Sequence, residues 1–72
     1  MYIKNLIESI EQNKNVMNER VYRTMIAKAY VLFFAMQYKN KSEIQYQVNL
    51  KLLEKGMKHI SYMFVTDTLK EK

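Results

Sequence analysis

Residues 16–38 read VMNERVYRTMIAKAYVLFFAMQY, a stretch with no glycine and no proline. Tyr22, Met25, Ala29, Leu32 and Met36 recur at 3-4-3-4 spacing, with Val21, Ile26 and Phe33 beside them. That period makes one apolar face of an α-helix. Ala27, Val31, Phe34, Ala35 and Tyr38 form a second apolar set on roughly the opposite side. A helix apolar nearly all round is expected to be covered nearly all round. A strand over 30–34 fits the short apolar run alone, but the pattern continues over some 20 residues without a breaker. The helix is expected from Val16 or Asn18 to Tyr38. Asn15 or Asn18 can cap it, and Glu19 suits the positive end of its dipole.

Before this helix, Ile3, Leu6, Ile7 and Ile10 make a narrow apolar stripe, giving a first helix over about 2–13. Lys4, Glu8 and Glu11 face outward. Three turns with one stripe are not stable alone and must dock. The polar stretches Gln12–Asn15 and Lys39–Ser42 read as inter-helix turns, since asparagine tolerates turn geometry.

After the second turn, Ser42 and Gln45 fit a capping box. Tyr46, Leu50, Leu53, Met57, Ile60 and Phe64 then form a heptad-spaced seam, with Val48, Leu52 and Met63 on an adjacent strip. The phase holds through Gly56, so one helix over 42–66 is expected, at a cost of about 1 kcal/mol for the glycine. The alternative is a helix end at Gly56. Residues 67–72 are expected to fray.

The resulting expectation is an all-α fold of three helices. A long antiparallel helical hairpin carries a short N-terminal helix, and dimerisation completes a bundle. Seventy-two residues make one domain, and a chain this short buries only about 60% of the surface its unfolded form exposes. It has no cysteine and a single histidine, so neither a disulfide nor a structural zinc site can staple it. Helix packing or oligomerisation must supply the stability. Three helices show more apolar faces here than they can mutually hide. The surplus, read as an interface, comprises Val31, Phe34 and Tyr38 with Leu52, Gly56 and Met63. A two-fold homodimer is the commonest way to bury such a patch.

No chemistry-bearing constellation emerges. His59 lacks companion ligands and a nucleophile, and is expected to be a partly buried structural histidine. Glu19 with Arg23, and Glu54 with Lys58, are i,i+4 pairs of surface type. There is no phosphate loop, no HExxH and no paired carboxylates. The chain is therefore read as no enzyme, with no cofactor or metal. The longest apolar run, Ala29–Met36, falls far short of the roughly 20 residues a bilayer span needs. A cytoplasmic protein with no membrane association is expected, the apolar faces being better explained by packing than by a lipid surface. Composition rich in Lys, Asn, Ile and Tyr suggests an AT-rich bacterial or phage gene.

Twelve basic and seven acidic residues give a net charge of +5. Arg20, Arg23, Lys51, Lys55 and Lys58 are the candidates for phosphate contact. Two functions follow as expectations. One is an interaction module, a regulator, inhibitor or adaptor that binds a larger protein through apolar helix faces. The other is a small basic nucleic-acid binder.

Overall fold

A computed structural model describes residues 3–70, with side chains from Asn5 onward. The expected start of the first helix at Tyr2 and the end of the tail at 71–72 lie outside the described residues. Four α-helices run in order: α1 (Ile3–Gln12), α2 (Glu19–Ala35), α3 (Lys41–Glu54) and α4 (Tyr62–Lys70). A single 3-10 turn, Lys14–Val16, joins α1 to α2. Among the described residues there is no strand, and no helix is long and apolar enough to cross a membrane. The radius of gyration is 11.5 Å, against about 11 Å expected for a closed chain of this length.

Helix starts follow asparagine. Asn18 caps α2, its side chain accepting from the Arg20 N–H at 2.8 Å. Asn40 caps α3, accepting from the N–H groups of Ser42 at 2.8 Å and Glu43 at 3.3 Å. The capping box expected at Ser42 is thereby displaced. Asn40 is as good a cap and already satisfies the first donors, and Gln45 reaches elsewhere. α2 ends at Ala35 instead of Tyr38, the Phe34 carbonyl accepting from the N–H groups of both Gln37 and Tyr38.

The largest departure falls at Gly56. The single 42–66 helix is replaced by α3 and α4 with a seven-residue connection, 55–61. Gly56 adopts φ +70°, the one positive φ among the described residues. The Met57 N–H returns to the Leu52 carbonyl at 2.8 Å and the Gly56 N–H to Leu53 at 3.0 Å. This pair of reverse bonds is the Schellman end of a helix, and a left-handed residue there favours glycine. Ser61 then starts α4, its hydroxyl accepting from the Phe64 N–H at 3.1 Å. α4 continues to Lys70 with Val65 and Thr68 buried. Residues 67–70 are therefore ordered helix and not a frayed end.

The break allows the last segment to fold back, and α4 packs on both α2 and α3. α2 is the hub, touching α1, α3 and α4. The core comprises Ile7 and Ile10 of α1, the broad face of α2 around Ile26, Val31 and Phe34, the α3 row Ile44–Val48–Leu52, and Val65. Phe34 also anchors an aromatic ladder, 6.3 Å from the rings of Tyr30 and Tyr38 and edge-on to Phe33 at 5.2 Å. Three-helix counting missed this fourth layer. One chain covers its own Val31 (0% exposed) and Phe34 (6%), so a second copy is not needed to shelter them.

Candidate interaction surface

On a helix, residues four apart share a face. In α3, Ile44, Val48 and Leu52 follow that spacing and all three are buried. Tyr46, Leu50 and Leu53 point roughly the other way, at 58%, 39% and 64% exposure. Both faces carry three large apolar side chains. The sequence pattern assigned the heptad seam inward, and the structure reverses that assignment. In α2 both apolar sets reach the core, Ile26 and Ala29 of the first being buried with Ala27, Val31 and Phe34 of the second, while Val21 and Met25 are exposed.

The outer face of α3 borders a groove of about 390 Å³. It is lined by Tyr46, Leu50 and Leu53 together with Gln45, Asn49, His59 and Ser42. None of these residues is Asp, Glu, Lys or Arg. A second, more polar recess, which includes Tyr38, Lys39 and Glu43, continues from it through Ser42 and Tyr46. Of the 55–61 connection only His59 reaches the groove, and one polar latch fixes that segment in place. Asn49 accepts from the Ile60 N–H at 2.8 Å and donates to the Ile60 carbonyl at 3.3 Å. Gln45 donates to the same carbonyl at 3.2 Å. The side-chain amides thus supply the backbone partners that a loop residue outside regular structure would otherwise take from water. His59 is exposed on this segment, contrary to the expected half-buried position, because the helix it was placed on ends at Glu54.

The six expected interface residues separate. Val31, Phe34 and Leu52 are core, which removes them as anchors for a partner. Tyr38 is half-buried and lines the polar recess. Gly56 is exposed at the Schellman turn, and Met63 is 70% exposed on α4. The large apolar residues exposed along the groove are Tyr46, Leu50 and Leu53, with half-buried Gln45 and Asn49 beside them. The exposure of Tyr46, Leu50 and Leu53 carried no signal in periodicity alone.

The basic residues are interleaved with acids. Arg23 pairs with Glu19 at 2.7 Å, and Lys51 lies 4.0 Å from Glu54. The expected Glu54–Lys58 pair does not form, since Lys58 is beyond the helix end. Lys55 bonds Glu11, tying the end of α3 to α1. Arg20 and Lys58 are exposed, with no ion pair among the described residues. Arg23 and Lys55 line a recess of about 300 Å³ that also holds Lys14, Glu19 and Tyr22. Burial disfavours the charged form of Lys55, yet its hydrogen bond to Glu11 and the nearby Tyr30 outweigh this and raise its pKa above the ordinary value. The Tyr30 pKa is also raised, by burial first and by Glu11 next, with Lys55 opposing. Among the described residues no group of three or more His, Cys, Asp or Glu is placed to hold a metal ion. No family model matches the chain, and no curated protein or solved structure matches it.

Proposed function

We propose that the chain is a small helical interaction module that binds a larger protein, a helix of the partner lying along the outer face of α3. The observation that carries this reading is the row Tyr46–Leu50–Leu53, exposed on a helix whose opposite face is fully buried. Apolar residues spaced i, i+4 and i+7 are the usual reading frame of helix-in-groove recognition. The absence of formal charge along the groove favours apolar contact there over phosphate contact, with Gln45, Asn49 and Ser42 as hydrogen-bonding groups at its edge. Regulator, inhibitor or adaptor roles all fit a module of this kind.

The test is capture from an extract of the native host by tagged wild type and by the Leu50→Asp/Leu53→Asp variant, washed at low and high salt. Docking through α3 predicts a partner held at both salt levels by wild type and lost by the variant. Capture of nucleic acid that collapses with salt and survives the variant would reject this reading in favour of phosphate binding. A partner retained equally by the variant would place the interface elsewhere.

A further inference from the structure

The outer face of α3 is half of a longer pattern. Tyr46, Leu50 and Leu53 are followed, at the same 3-4 alternation, by Met57, Ile60 and Phe64. In the closed chain the turn at Gly56 separates the two halves. The first three residues are exposed, and the second three are half-buried against the core. Only in a helix running through residues 55–61 do all six fall on one side, as a seam of the kind that pairs helices in coiled coils.

We infer that the chain has a second, open form in which residues 41–70 are one helix, and that its partner in this form is a second copy exchanging α4. A continuous helix of that length spans about 45 Å, whereas the whole closed molecule extends 33 Å at most. α4 must then leave its own body. It also leaves uncovered the site on α2 and α3 that Val65 and Thr68 occupied, and the α4 of another copy has the shape to refill it. Exchange of identical elements restores the packing of α4, while Met57 and Ile60 of the connection give up their places against the core. What the exchange adds is the completed seam.

Three features hold the closed form: the left-handed backbone of Gly56 and the bonds from Asn49 and Gln45 to Ile60. Gly56 is the cleanest lever. A Cβ built there meets nothing within 4 Å, so alanine changes backbone preference without a clash. Alanine is disfavoured at positive φ and favoured inside a helix. Both effects push toward the open form, by about tenfold per hinge and so about a hundredfold in the two-hinge dimerisation constant.

Sedimentation of the pure full-length chain tests this, without any partner protein, so its outcome is separate from that of the docking reading. Gly56→Ala is expected to form dimers with increased helix content. Adding Leu53→Asp or Lys58→Pro to it is expected to restore the monomer, by spoiling the seam or the continuous helix. Should Gly56→Ala fail to fold, Asn49→Ala leaves the glycine intact, releases the latch and is expected to raise the dimer fraction. A monomeric, folded Gly56→Ala chain overturns the inference. So does a dimer indifferent to both added substitutions, or an Asn49→Ala chain that stays monomeric when Gly56→Ala cannot be measured.

Discussion

Thr68 is a β-branched residue in α4, 4% exposed, whose hydroxyl finds no hydrogen-bond partner among the described residues. A buried polar group without a partner costs about 1–3 kcal/mol. Valine keeps the shape and removes the hydroxyl. Thr68→Val is therefore expected to stabilise the chain by about 1 kcal/mol in urea unfolding. A loss of similar size would show that the hydroxyl has a partner in solution. Lys55 and Tyr30 make a second residue-scale prediction. Both have folded pKa values raised above the ordinary 10.5 and 10.0. Each binds its proton more tightly when folded, so their contribution is complete below those ordinary values and is lost as pH climbs through the folded ones. The urea midpoint should fall as pH rises above about 10, and fall less in the Lys55→Met/Tyr30→Phe variant. An equal fall in both proteins would remove the Glu11–Lys55–Tyr30 cluster from the explanation.

At the scale of elements, the connection 55–61 owes its path to Asn49. Asn49 answers both backbone groups of Ile60, and Gln45 reinforces the carbonyl. Asn49→Ala leaves the Ile60 N–H without its partner and the carbonyl with Gln45 alone, and is expected to cost about 1–2 kcal/mol. Hydrogen exchange at the Ile60 amide should quicken in this variant ahead of global unfolding. Unchanged protection there would mean that packing of Ile60, not the amide latch, holds the segment. The elements themselves were only partly legible in the sequence. Helical period and polar turns are local properties that led to the first two helices and the start of the third, and Asn18, one of two asparagines placed to cap α2, is its cap. The end at Gly56 was not decided locally. A glycine is tolerated inside a helix at a cost of about 1 kcal/mol, and the 3-4 spacing kept its phase across it. What decided the matter is tertiary, since α4 packs over α2 and α3 only if the chain turns there.

At the scale of the molecule, the same ambiguity explains why the candidate surface was misassigned. α2 and α3 each carry two apolar faces of similar strength, and periodicity identifies faces without ranking them. The presence of surplus apolar surface was legible, but its location was not. Ala27, Val31 and Phe34 are buried within one chain whose α2 packs on α1, α3 and α4, so that face needs no second copy. The surplus moves to Tyr46, Leu50 and Leu53. The basic residues follow the same logic. Arg23 pairs with Glu19 on the same helix, as their i,i+4 spacing indicates, whereas Lys55 is answered by Glu11 of α1, a partner that no local spacing shows.

The account depends on α3 being a two-faced helix, closed on one side and open on the other. Thermal and urea unfolding of Val48→Asp and Leu53→Asp, measured side by side on the isolated chain at low micromolar concentration, tests this most directly. Val48 is 0% exposed, so a carboxylate there is expected to remove most of the folding free energy, several kcal/mol. Leu53→Asp is expected to leave stability within about 0.5 kcal/mol of wild type. If Leu53→Asp unfolds the chain while Val48→Asp is tolerated, the faces are the other way round and the proposed docking surface does not exist.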